Sequence, residues 1–273
     1  MTLAVSRSTK VSPASYSATA ILAMLAVAYL NGYFKSISDW IHGLADSGFG
    51  LPVSLLDVLV IAVAVSLLRL ERPDTATLAI GWAEAIAAAT ILVPSSAMSW
   101  AAAAGYASWC AWHLKAPARA GCALLAGLAL AQLWSTVIIK WLALQLGSMD
   151  AAIAGAFLSS VFPGVMRAAN VLGFEHGHSI IVLYGCTAGY FLPKLLLVQA
   201  ATSLSLARGK PVRLLRSLAL VASFGLIANG IRLALMATSP GQYHAIHSPL
   251  GGSVFDFLMI MTVFALTRRS RRS

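Results

Sequence analysis

Three residues in the C-terminal third of the chain carry side chains that could do covalent chemistry together: Cys186, Arg232 and His247. A thiol attacks as its thiolate, an imidazole can take the thiol proton, and a guanidinium can steady the anion that forms on the substrate. These are the parts of a cysteine acyl-transfer site. Cys186 stands where a long apolar run begins. Asn229-Gly230-Ile231-Arg232 lies late in the next run, and His247-Ser248-Pro249-Leu250-Gly251 precedes the last one. Asn229, three residues before Arg232, shares its helical face and could hold the guanidinium or a substrate carbonyl. His244, three residues before His247, is the rival base. Cys110 and Cys122 read as small buried residues at the far side of the membrane, so no structural disulfide is expected. A thiol left alone on an oxidising face is unusual unless it has a chemical use.

For these residues to meet, the chain must bring them to one membrane surface. It has 273 residues, of which 59% are hydrophobic and 10% charged, with a mean hydropathy of +0.82. A soluble domain of this size could not hide that much apolar surface, whereas a bilayer can. The net charge of +10 raises the question of nucleic acid. The cations, however, fall in short blocks between apolar runs, with no aromatic-basic stripe, so no nucleic-acid partner is expected. The expectation is an all-α integral membrane protein with about eight transmembrane helices. They lie near 17–34, 51–70, 76–93, 97–114, 119–139, 186–207, 212–236 and 250–267, with a small extracytoplasmic cap before the sixth.

The charges give this array a direction. With the connections numbered alternately from the inside, the inner set carries Arg7, Lys10, Arg69, Arg72, Lys115, Arg119, Arg208, Lys210, Arg213, Arg216, Arg268, Arg269, Arg271 and Arg272. Of the 19 Lys and Arg residues, only Lys35, Lys140, Arg167, Lys194 and Arg232 fall elsewhere. Both termini are therefore expected in the cytoplasm, and Cys186 on the outer face of the cytoplasmic (inner) membrane. Ala26-Val27-Ala28 resembles a signal-peptide cleavage site, but the first run is long for one.

Three segments follow: an N-terminal five-span bundle (1–139), an extracytoplasmic cap (140–185) and a C-terminal three-span catalytic region (186–273). In the cap, Asp150 can start a helix continuing through Ala151–Val161, which Pro163-Gly164 breaks. Residues from Gly173 to His178 read as a turn, and Ser179 to Tyr184 as a short strand. The next helix would carry Cys186 in its first turn, where free N–H groups and the positive helix end favour a thiolate.

On these motifs the chain resembles the exosortase/archaeosortase family of membrane cysteine proteases and transpeptidases. The resemblance covers residues from about Gly173 to the end. It rests on Cys186-Thr187-Ala188-Gly189, on Asn229 to Arg232, and on His247 to Gly251, in that order and on one face. The family usually shows Cys-Ser-Gly or Cys-Ala-Gly, often followed by arginine. This chain has one more residue before Gly189 and then Tyr190, which points to a divergent member. The resemblance implies that Cys186, Arg232 and His247 are catalytic, and that Asn229, His244, Tyr190, Lys194 and Gly189 support them or the substrate. It also implies a thioester mechanism with no metal or cofactor. The implied substrates are secreted proteins tethered by a C-terminal sorting signal of short motif, transmembrane helix and basic tail, with an amine or water as acceptor.

Other features support different readings. Lys194, Asp57, Glu84 and Asp256 fall inside apolar runs, where charges are paired or functional. A salt bridge from Lys194 to Asp57 or Asp256 is expected from their shared depth. The same charges would serve a small-solute or proton-coupled transporter, although no paired repeat is seen. His176 and His178, two apart, could join Glu175 or His244 around a metal, but two ligands are few.

Overall fold

A computed structural model describes residues 18–43, 53–69, 95–206 and 211–272. The run at 76–93 with Glu84, and the cations Arg7, Lys10, Arg72, Arg208 and Lys210, lie outside the described residues. The architecture is mostly helical. Helix α1 spans Ala18–Gly43, α2 Leu55–Arg69, α3 Ser96–His113 and α4 Ala118–Leu133. A π-helical turn at Trp134–Ile138 carries α4 on to Trp141. Then come α5 Ala143–Ser159, three short strands, a 3₁₀ turn at Tyr184–Cys186, α6 Ala188–Leu206, α7 Pro211–Thr238, α8 Pro240–His247 and α9 Pro249–Arg272.

Among the described residues, three helical stretches are long and apolar enough to cross a membrane: Ala118–Trp141, Leu214–Thr238 and Leu250–Arg268. They mark the chain as a membrane protein. Among the described residues the count is lower than the apolar runs led one to expect, and for three of the helices the reasons are local. Helix α2 has 15 residues. Helix α3 mixes its alanines with Ser96, Ser99, Gly105, Ser108 and His113. Helix α6 contains Pro193, Lys194 and Gln199. The outward faces of α7 and α9 leave Leu215, Ile231, Leu250 and Phe257 exposed, the kind of surface that hydrocarbon covers.

The segment from 140 to 185 departs from the all-α expectation. Strands β1 (Val165–Ala168), β2 (Val171–Phe174) and β3 (Ser179–Ile181) form one antiparallel sheet in the order β1-β2-β3. Gly173, read from sequence as part of a turn, sits within β2 opposite Ser179. A Cβ there would stand 2.5 Å from the Ser179 Cα, so this crossing needs glycine. The turn is shifted to Glu175–Gly177. Asp150 does not start a helix either; it lies in the middle of α5, and its carboxylate caps a different helix, as described below.

Two apolar cores result. The larger joins α1, α2, α3 and α4 to α6, α7 and α9 through residues such as Trp100, Leu128, Leu195 and Val263. The smaller joins α5, the sheet and the end of α7 through Ala154, Leu172, Val182, Leu233 and Met236, and Cys186 belongs to it.

Candidate active site

Local sequence brings the base to the thiol. Ser239 caps α8, its hydroxyl accepting from the Gln242 N–H at 3.2 Å, with Pro240 in the first turn. Ser248 repeats the device for α9, accepting from the Gly251 N–H at 3.1 Å. Two Ser-Pro starts in succession thus make two helices between the end of α7 and residue 272. Gly251 sits directly against the Ala245 carbonyl, and a Cβ there would be 2.5 Å from the Ile246 carbonyl oxygen. The spacing from His247 to Gly251 is therefore a packing requirement: α9 folds back on the helix that carries the imidazole.

Cys186 Sγ lies 3.8 Å from His247 Nδ1, so the thiol can donate to a neutral imidazole. His247 is stacked on Tyr243, with ring centroids 5.0 Å apart and planes at 17°. Tyr243 in turn meets the edge of His178 at 6.1 Å. His244 and His247 are both exposed, but the His244 ring meets Tyr243 edge-on, with centroids 5.6 Å apart, while the His247 ring reaches the sulfur. The geometry thus separates two histidines that the spacing alone could not.

Arg232 is half-buried, with its guanidinium 4.8 Å over the Phe255 ring. It lies within electrostatic reach of both Cys186 and Asp256. Its Nε–H is buried without a hydrogen-bond partner. Asn229 is fully buried and does not hold the guanidinium. Its Nδ2 donates to the Cys186 carbonyl at 3.1 Å, and its Oδ1 is left without a partner.

Burial pushes the Cys186 thiol up from its ordinary value, with the Arg232 charge and the Leu183 backbone contact pulling the other way. Burial and then the Arg232 charge both push His247 down. Both directions favour a neutral thiol beside a neutral imidazole, whereas a place in the first turn of a helix would favour a thiolate. The sulfur precedes α6 in a tight turn, so it is enclosed by the smaller core before the helix end can stabilise a charge.

The remaining candidates flank this centre. The Gly189 carbonyl accepts from Trp134 Nε1 at 2.9 Å, tying the π turn to the start of α6. Tyr190 meets Tyr184 edge-on and lies 5.7 Å from Lys194 Nζ. Lys194 pairs with Asp57 at 3.0 Å. The same Asp57 oxygen accepts from Tyr33 at 2.9 Å and Gln132 at 2.8 Å. Beside the thiol site is a cavity of about 630 Å³, bordered by Asp57, Lys140, Tyr190, Lys194, Arg232 and Asp256. Arg232 thus borders the cavity while standing within electrostatic reach of the sulfur. His176 is exposed in its turn and His178 faces Tyr243. Among the described residues, no group of three or more His, Cys, Asp or Glu is placed to hold a metal.

Tyr243 and Asp150 were not candidates on sequence grounds. The signal for Asp150 was an acid alone in an apolar helix; Tyr243 offered only its position four residues before His247. Comparison with protein-family models, with curated proteins and with solved structures found no match.

Proposed function

We propose that the chain is a membrane-embedded cysteine peptidase or transpeptidase acting at the outer face of the cytoplasmic membrane. The observation that carries this reading is the 3.8 Å approach of Cys186 Sγ to His247 Nδ1 with Arg232 in electrostatic reach. Three elements distant in sequence supply a nucleophile, a base and a nearby cation to one region of the molecule.

In this mechanism His247 Nδ1 takes the thiol proton as Sγ attacks a peptide carbonyl carbon. The oxyanion that forms is held by Arg232, whose unpaired Nε–H is a donor kept free until substrate arrives. The tetrahedral adduct collapses, the C–N bond breaks, and His247 returns its proton to the leaving nitrogen. The N-terminal part of the substrate remains as a thioester on Cys186. An amine or water then attacks and gives its proton to His247, the C–S bond breaks, and the departing Cys186 thiolate takes that proton back from His247.

The topology of this reading has about eight spans, with both termini inside and residues 140–185 outside, as the cation distribution indicates. The substrate is a secreted protein whose C-terminal tail holds a short motif, one apolar helix and a basic cluster. Such a tail would lie beside the bundle with its scissile bond at Cys186.

The test is Cys186→Ala in cells containing a tailed substrate. Processing stops while the protein still inserts and folds; Cys110→Ala and Cys122→Ala process normally. Normal processing by Cys186→Ala would end the peptidase reading. The rival reading, a small-solute or proton-coupled transporter, draws on the charged cavity with its buried Lys194–Asp57 pair. It requires the opposite result: Cys186 dispensable and the pair indispensable.

A further inference from the structure

The turn that carries Cys186 is held from behind by a buried carboxylate that the proposed chemistry does not use. Asp150, on α5, accepts from the backbone N–H of Ala188 at 2.7 Å. Ala188 is the first residue of α6. Asn229, on α7, donates to the carbonyl of Cys186, and its amide also lies against the Asp150 carboxylate. The two side chains therefore grip the backbone on either side of Thr187. They are 5% and 0% exposed.

A helix start is ordinarily capped by its own N-cap side chain. Thr187 occupies that position here, but its hydroxyl donates back to the Tyr184 carbonyl at 2.7 Å. The cap acceptor comes instead from a helix 38 residues earlier. Close approach makes this possible. A Cβ on Gly147 would stand 2.7 Å from the Val182 carbonyl oxygen, and one on Gly230 would stand 2.8 Å from Ile153 Cγ2. The two glycines let α5 lie against the strand leading to Cys186 and against α7 at once. Burying a carboxylate is costly, and two donors offset that cost only in this arrangement.

We infer that Asp150 is a positioning residue for the nucleophile: through the Ala188 N–H and Asn229 it fixes the turn that holds the Cys186 sulfur against His247. The inference rests on the proposed function only in treating Cys186 as a nucleophile.

The experiment uses the full chain in detergent with Cys110→Ala and Cys122→Ala, which leaves Cys186 as its one thiol. Alkylation of Cys186 by iodoacetamide is followed against pH, corrected for the folded fraction, and processing of a tailed substrate is measured in parallel. Asp150→Ala is expected to loosen the turn. Alkylation then becomes faster and its pH midpoint moves toward that of a free cysteine. At the same time kcat falls about tenfold or more with KM within about twofold, since about 1.4 kcal/mol of transition-state stabilisation is a tenfold change in rate. Asn229→Ala gives the same signature, and the double variant falls little below the worse single, because both act through one brace. Asp150→Asn keeps an acceptor for the Ala188 N–H and recovers part of the loss.

If the Asp150→Ala protein yields less folded material but alkylates and turns over like the parent per folded molecule, the side chain is only structural and the inference is overturned. Should Asp150→Ala not fold, Asp150→Asn carries the test. A parental alkylation profile in Asp150→Asn, or additive effects with Asn229→Ala, overturns it equally. The alkylation arm needs no substrate. A dependence of Cys186 reactivity on Asp150 therefore stands even if Cys186→Ala were to process normally, and the two failures remain distinguishable.

Discussion

Lys194→Met tests what the buried charges do. Asp57 is 1% exposed and the Lys194 side chain 7%. Lys194, Tyr33 and Gln132 all donate to one Asp57 oxygen, while the other is buried without a partner. Removing the ammonium leaves an anion held by two neutral donors. Breaking a buried pair in this way costs about 3–5 kcal/mol. At about 2–4 °C per kcal/mol for a chain of this size, melting should fall by roughly 6–20 °C. Asp57→Asn should cost a similar amount, since it leaves the ammonium facing a neutral amide. The double variant Asp57→Asn with Lys194→Met removes both charges and keeps acceptors for Tyr33 and Gln132, so it should lie within about 1–2 kcal/mol of the parent. Tryptophan fluorescence during thermal unfolding in detergent is the assay, because Trp100 meets Tyr33 edge-on with centroids 4.8 Å apart. The peptidase reading expects the double variant still to process substrate, with kcat lowered because α6 has lost its second tie. Singles as stable as the parent, or a double that sums the two losses, would refute the view that the pair is a mutual structural tie.

Other perturbations follow from the same geometry. His247→Asn should abolish thioester formation, trapped as a covalent intermediate on Cys186, whereas His244→Asn should leave it within about threefold, because it is the His247 ring that meets the thiol. Because burial and the Arg232 charge hold His247 below its ordinary value, the imidazole is already neutral at mildly acid pH, and activity should climb through that low value as pH rises. Arg232→Gln removes the cation, so this acid limb should move to higher pH. The Cys186 thiol, which Arg232 pulls down, should rise with it, and an acid limb left in place would contradict the assignment. Gly251→Ala places a methyl against the Ala245 and Ile246 carbonyls and should displace His247, lowering kcat about tenfold with little change in KM.

Apolar periodicity and charge placement made most of the helices legible, because span and connection differ in composition wherever lipid and water alternate. The expected tie from Lys194 to an acid of similar depth meets Asp57 in the structure. The sheet was less legible. Strands of three or four residues are too short to set up a period of two, and Gly173 reads as a turn residue until Ser179 is laid across it. The choice between His244 and His247 was hidden for a different reason. Residues three apart share a helical face, so the spacing is silent, and the decision is made by α9 folding back at Gly251. Asp150 was misassigned because capping is ordinarily local, and no local pattern announces a cap supplied from 38 residues away.

These details converge on the placement of α6. The helix is fixed at its first N–H by Asp150 and again at Lys194 by Asp57, from elements on different sides. The two points are six residues apart, about 9 Å along the axis. One tie would leave the helix free to rotate or slide about it; two at that separation remove both motions. The 3.8 Å between Cys186 and His247 is near the limit for a sulfur contact. Catalytic groups must be held within about 0.5 Å of productive geometry. In the proposed mechanism, a nucleophile carried on the turn before a proline-containing helix meets that tolerance only if the helix itself cannot move. The two buried acids therefore bear on the chemistry even though neither touches the sulfur.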